Sequence, residues 1–255
     1  MIISHKYRFI FLKTRKTAGT SIELWLSQCC RSGYVFGSVE PEEPGHCPRN
    51  DRAWFNPLPE IANRVYAPED TLISWRRTTG DWLRRRCYYN HIAGALVRER
   101  TNKTIWGSYW KWCVERAPEE KVMSDFYMQR ATFPGLTFGD YLNRFPLPVN
   151  FPIYCDRDKI PLVDEIIDYR HLEERLSDLS ARLGIPYTGL RQRAKAHYTP
   201  GKRGELVSLT EAQRRKIATA FAREVRIHAE FKNSATEACF MPRINRAAVP
   251  GGRRR

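Results

Sequence analysis

Short apolar runs, each followed by a stretch of helical period, recur along this chain. The first run is "YRFIF", and residues 6–12 suggest a strand. Ile22, Trp25, Leu26 and Cys29 then share one helical face, so residues 20–30 suggest a helix. Residues 40–60 hold five prolines and few periodic apolar positions, which predicts a long loop. Residues 69–100 read as mostly helical and very basic. "YWKWCVER" (109–116) alternates like a strand, and "PEEKVMSDFYMQRA" (118–131) reads as a helix. Pro118 suits its first turn, and Glu119 and Glu120 suit its positive end. "FGDYLNR" predicts a short helix. Residues 161–169 predict a strand, followed by a helix through Leu183 that stops at Gly184 and Pro186. A basic loop follows over 191–205, and Ser208-x-x-Glu211 offers a capping box for a long helix to about Phe231.

Strands that feed helices imply a three-layer α/β domain with a mainly parallel central sheet, here over 1–231. Within it lie the long loop at 40–60 and the basic helical insert at 69–100; residues 232–255 predict a flexible basic tail. Ligands of such sheets sit beyond the carboxyl ends of the strands. The joints at 12–21 and 116–124 are therefore the places to look for chemistry.

The 255 residues are 42% hydrophobic, too apolar for disorder and long enough for a sizeable core. No run of 18 apolar residues predicts a spanning helix, and the first residues do not read as a signal peptide, so a cytoplasmic location is expected. Seven cysteines without a C-x-x-C pair predict free thiols rather than a disulfide framework or zinc ribbon. No cluster with metal-ligand spacing is present in the sequence. The formal charge of +15 favours anionic partners, although its clusters are spread along the chain.

At the first joint, Thr20 and Glu23 fit a capping box, which places the preceding loop at a helix amino terminus. Unpaired N–H groups and the helix dipole favour an anion there. Gly19 permits close backbone approach; Thr17, Thr20 and Ser21 add hydroxyls and Lys16 a mobile charge. A Walker A loop needs its lysine directly before the helix, whereas Lys16 precedes the loop's only glycine.

The stretch "KTRKTAGTS" resembles the 5′-phosphosulfate loop of sulfotransferases that use 3′-phosphoadenosine 5′-phosphosulfate (PAPS), and within them a bacterial group with this loop. Arg15 stands where many members carry proline. The resemblance implies a P-loop-like sulfotransferase fold and donor binding by Arg15, Lys16, Thr17, Ala18, Gly19, Thr20 and Ser21. The family's second signature, Arg-x-Pro with a serine eight residues after the arginine, is matched by Arg116, Pro118 and Ser124. It implies that Arg116 grips the 3′-phosphate as a planar fork while Ser124 donates from the helix. Here the segment reads "RAPEEK" where relatives read "RNPWDK". "RAKAHY" resembles the family's late basic loop, which brings in Arg193 and Lys195.

The implied reaction moves a sulfuryl group from PAPS to an acceptor hydroxyl, on a saccharide or glycan, and leaves 3′,5′-bisphosphoadenosine (PAP). Lys16 would stabilise charge on the bridging oxygen, without a metal. His91 is the favoured general base; His46, Glu42 and Glu43 are the alternatives. Arg84, Arg85 and Arg86 would hold an acidic acceptor, or simply form a solvated face. Two other classes compete: a P-loop small-molecule kinase, and a non-enzymatic basic nucleic-acid-binding protein, for which the tail is the readiest contact. An inactive family member is a further alternative.

Overall fold

The computed structural model describes residues 1–30, 34–37, 48–63, 65, 71–190 and 209–237, without side chains for 71–74 and 232–237. The elements in chain order are β1 (Ile2–Ser4), β2 (Phe9–Phe11), α1 (Gly19–Cys29), β3 (Val35–Phe36), α2 (Leu58–Ala62), α3 (Thr71–Leu83), α4 (Gly94–Arg100) and α5 (Lys103–Ser108). Then come β4 (Trp110–Glu115), α6 (Pro118–Thr132), α7 (Phe138–Arg144), α8 (Phe151–Tyr154), β5 (Glu165–Asp168), α9 (Leu172–Leu183) and α10 (Glu211–Glu237). The basic loop at 191–205, the Ser208 capping residue and the chain beyond 237 lie outside the described residues.

The five strands form one sheet in the order β3–β1–β2–β4–β5. It is mixed rather than mainly parallel. β1 pairs antiparallel with both β2 and β3, whereas β2–β4 and β4–β5 are parallel. The amino-terminal "IIS" turns back onto "FIF", and a three-residue strand is too short to show a period. The predicted strand at 6–12 accordingly begins only at Phe9, because Arg8 completes the turn at φ 53°. The predicted strand at 161–169 shrinks to Glu165–Asp168. The basic insert is two helices, α3 and α4, separated by a non-helical stretch in which Arg85 and His91 have positive φ.

Successive strand residues point to opposite faces, as the pleat requires. Phe9, Phe11, Trp112, Val114 and Ile167 pack against Ile22, Trp25 and Leu26 of α1 and Leu172, Leu176 and Leu179 of α9. On the other face, Ile3, Ile10, Leu12 and Cys113 meet Leu96 and Val97 of α4, Ile153 and Tyr154 of α8, and Ile227 of α10. With both faces covered, β2 and the inner half of β4 are buried throughout. A third cluster joins α6, α7 and α10 through Val122, Phe126, Tyr141, Ile217 and Phe221. α6 begins at Pro118 with Glu119 and Glu120 in its first turn, and α9 ends at Gly184 with φ 69°. No helix among the described residues is long and apolar enough to cross a membrane.

Gly94 opens α4 where that helix meets both Leu12 and α8. A Cβ there would lie 2.8 Å from Leu12 Cδ1 and 2.9 Å from the Ile153 carbonyl oxygen. Gly94→Ala is expected to destabilise the fold by about 1–3 kcal/mol, the usual cost of overpacking, as read from the urea midpoint.

Candidate functional site

The carboxyl ends of the parallel strands β2, β4 and β5 lie on one edge of the sheet. From β2 the chain passes through Leu12–Ala18 into α1. Lys16 and Ala18 both have left-handed backbones, at φ 62° and 59°. Left-handed residues at the head of a helix turn successive amides toward one point, a geometry that suits an anion. The amides of Gly19 and Thr20 donate to no backbone carbonyl among the described residues.

Hydrogen bonds made by Thr14 and Asn150 hold this loop. The Thr14 hydroxyl donates to the Val114 carbonyl at 2.5 Å and meets the Thr17 hydroxyl at 2.8 Å. The buried Asn150 side chain clasps the Arg15 backbone, accepting from its N–H at 2.8 Å and donating to its carbonyl at 3.1 Å.

Three expectations for this joint change. The Thr17 hydroxyl, fully buried, bonds within the loop to Thr14 rather than facing outward. Gly19 is small for Lys13: a Cβ there would lie 2.6 Å from Lys13 Cγ. Thr20 and Glu23 form no capping box, because α1 starts at Gly19 after a left-handed Ala18. Glu23 is instead fully buried, ion-paired with the Met1 amino group and with Lys13 Nζ at 2.6 Å. Burial pushes the Met1 amino pKa down, against the pull of Glu23.

Lys16 leaves the loop toward α6. Its Nζ lies 3.7 Å from Asp125 Oδ1 and 3.3 Å from Met128 Sδ. Ser124, half-buried, is one turn before Met128 on the same side of that helix. Thr20 and Ser21 are nearly buried, and the Arg15 side chain is exposed.

Arg116 directly follows β4. Its Nε donates to Glu120 at 2.8 Å, and its guanidinium lies over the Tyr169 ring at 4.3 Å. The Glu120 side chain is 46% exposed, so the pair is worth about 0–1 kcal/mol and can yield to a better anion. Glu119 turns away to Arg214 at 2.9 Å.

His91 Nδ1 lies 3.0 Å from the Lys13 carbonyl, so Nδ1 carries the proton and Nε2 keeps its lone pair. Burial, aided by Lys13, pushes its pKa down to about 3. The other base candidates, His46, Glu42 and Glu43, lie outside the described residues, as do Arg193 and Lys195. No group of three or more His, Cys, Asp or Glu side chains suited to a metal ion occurs among the described residues.

Beneath both joints sits a buried charge cluster that the sequence reading missed. Lys121 Nζ donates to Glu115 Oε1 at 2.6 Å and to Glu224 of α10. Glu115 Oε1 also accepts from the Arg116 amide at 2.8 Å and from Asn150 Nδ2 at 3.3 Å. Glu224 Oε2 accepts the amides of Asn150 and Phe151 at 2.5 and 3.1 Å. Glu115 Oε2 and the Tyr154 hydroxyl are buried with no hydrogen-bond partner among the described residues. The one usable sequence signal was Glu224, a carboxylate on the apolar face defined by Ile217, Phe221 and Ile227.

No protein-family model matches the chain. An uncharacterized protein of Archaeoglobus fulgidus is 31% identical over 97 residues, which is 36% of this chain and 81% of that protein. The chain belongs to that protein's family. Among solved structures, a sulfotransferase from Alicyclobacillus acidocaldarius is similar over 87% of this chain and 97% of its own, with 15% identity and a TM-score of 0.37. That score is too low to carry an argument.

Burial pushes the Glu115 pKa up to about 7, with Glu224 adding to the rise and Lys121 opposing it. The folded state therefore binds this proton more tightly than the unfolded chain, whose value is 4.5. Stability is expected to fall as pH rises from about 4.5 to about 7, by roughly 1–3 kcal/mol from this group. Denaturant midpoints across that range should show a smaller fall in Glu115→Gln than in the parent chain.

Proposed function

We propose that this chain is a PAPS-dependent sulfotransferase that transfers a sulfuryl group to an acceptor hydroxyl, on a saccharide or glycan. One observation carries the reading: Lys16, from the joint after β2, touches Asp125 and Met128 on the helix of the joint after β4, one turn from Ser124. Two anion-suited strand–loop–helix joints thus open side by side on neighbouring parallel strands, as a donor with an anionic group at each end requires. The sequence resemblance at both joints adds the chemistry.

The donor supplies an activated S–O bond, and the chain binds and polarises it. The amides at the head of α1 hold the 5′-phosphosulfate, and Lys16 leaves Asp125 to offset charge on the bridging oxygen. Arg116 exchanges Glu120 for the 3′-phosphate while stacked on Tyr169, with Ser124 as a second donor. Arg15, Thr17, Ala18, Thr20 and Ser21 shape or line the first cradle, and the sequence resemblance alone adds Arg193 and Lys195 to the nucleotide's contacts. His91 accepts the acceptor's proton through Nε2, oriented by its bond to Lys13. Burial is the first cause of the low His91 pKa and the Lys13 charge the second, and a negative donor would oppose only the second.

Thermal-shift measurements with PAP and with ATP–Mg²⁺ test the reading. PAP should raise the unfolding midpoint and ATP–Mg²⁺ should not; the reverse would indicate a kinase, and nucleic-acid affinity without PAP binding would indicate a non-enzymatic protein. In the same assay His91→Ala should still bind PAP, while its turnover falls at least about tenfold.

A further inference from the structure

The loop before α2 and the carboxyl end of α3 form a surface unrelated to the two anion cradles. The Ala53 amide donates to the Arg85 carbonyl at 2.9 Å, and the Tyr88 amide to the Asp51 carbonyl at 2.9 Å. These bonds fix Trp54 beside Trp82 of α3, with ring centroids 4.9 Å apart. Arg85 lies over the Trp54 ring at 4.6 Å. Trp54 is nevertheless 53% exposed and Leu83 64% exposed. Trp75, 49% exposed, precedes Trp82 and Leu83 by two helical turns and so shares their side of α3. Leu58, 64% exposed, opens α2, which packs against α3. Large apolar side chains grouped in this way are a marker of an interaction surface.

Every exposed charged side chain within residues 75–86 is an arginine. Arg76, Arg84 and Arg85 are exposed. No acidic residue occurs in 52–59, and only Asp81 in 75–86. Asp81 is 2% exposed and spent on Arg86 and Arg100, at 2.5 and 3.0 Å. The partner is therefore anionic and also receives bare aliphatic groups. Single-stranded nucleic acid and sugars need an open aromatic face to stack upon. Arg85 lies over one face of Trp54 and Trp82 abuts that ring, and Leu58 and Leu83 have no role in stacking. Tryptophan and leucine rimmed by arginine suit the headgroup–acyl boundary of an anionic bilayer, where the rings and aliphatic tips insert and the guanidinium groups meet lipid phosphates.

We infer that the face formed by Trp54, Leu58, Trp75, Leu83, Arg76 and Arg84 docks peripherally on an anionic phospholipid surface. This docking is independent of the catalytic reading, since none of these residues belongs to the cradles.

Co-sedimentation of the full chain with phosphatidylcholine vesicles, with and without phosphatidylserine, tests it. The phosphatidylserine vesicles should bind the protein at low salt, with a blue shift of tryptophan emission, and pure phosphatidylcholine should bind at least about tenfold less. Trp75→Ser/Leu83→Ser keeps every charge, including those of the basic tail, and alters only exposed positions. Its binding to phosphatidylserine vesicles should drop about tenfold, with the unfolding midpoint unchanged. Arg76→Gln/Arg84→Gln should weaken binding and reduce its salt dependence. Absence of vesicle binding would overturn the inference. So would undiminished binding by the folded Trp75→Ser/Leu83→Ser variant, which would assign the attraction to charge elsewhere. Binding of heparin or single-stranded DNA that the same variant loses, with no vesicle binding, would reassign the face to a polyanion.

Discussion

The Lys121 ammonium, buried between Glu115 and Glu224, is the interaction on which the rest of the structure turns. Burying three charges is costly, and removing one partner from such a group typically costs about 3–5 kcal/mol because the others are left unpaired. The cluster therefore tolerates only one arrangement of the elements that carry it. Glu115 ends β4, Lys121 lies in the first turns of α6, and Glu224 comes from the middle of α10. Asn150 extends the same network to the backbone of Arg15, in the other joint. The mutual placement of the two cradles follows from satisfying one ammonium and two carboxylates out of water.

A second buried pair governs the first cradle from its other side. Glu23 is held by Lys13 and by the amino terminus itself. Lys13 lies along Gly19, and its carbonyl fixes the ring of His91. A single lysine thus sets the head of α1, the protonated nitrogen of the histidine and the position of β1. Left-handed backbones at Lys16 and Ala18 cost on the order of 1–2 kcal/mol each for residues with a Cβ. The Thr14 and Asn150 hydrogen bonds offset that cost, so the loop keeps its curl before any ligand arrives. Such preorganisation lowers the entropic cost of binding an anion.

The charged residues divide by burial into two kinds. Buried ones are matched within the protein and hold its frame. Others, Lys16 with Asp125 at 3.7 Å and Arg116 with the more exposed Glu120, are paired at the mouth of the cradles. Such pairs spare the cations the cost of standing bare, and they exchange readily for a phosphate or sulfate oxygen. Among residues 75–86 the exposed charged side chains are all arginines, and the one acid of that stretch, Asp81, is buried against Arg86 and Arg100.

Local sequence determined the elements whose signals are local. Periodic Ile22, Trp25 and Leu26 marked α1, Pro118 with two glutamates marked the start of α6, and Gly184 marked the end of α9. The two joints were legible because a small polar loop between an apolar run and a helix is a short-range pattern. The antiparallel β1 was not, since three residues show no period and its pairing is settled by Phe11 and Phe36 across the sheet. Glu23 read as a cap because Thr20 stands three residues before it; the amino terminus and Lys13 claimed it instead, from positions brought near by folding. Asn150 and Glu224, 135 and 109 residues from Arg15 and Glu115 respectively, carry no local signal of their contacts with the cradles. Propensity and capping act within a few residues along the chain, whereas the pairing of buried charge is decided by whichever groups the fold encloses together.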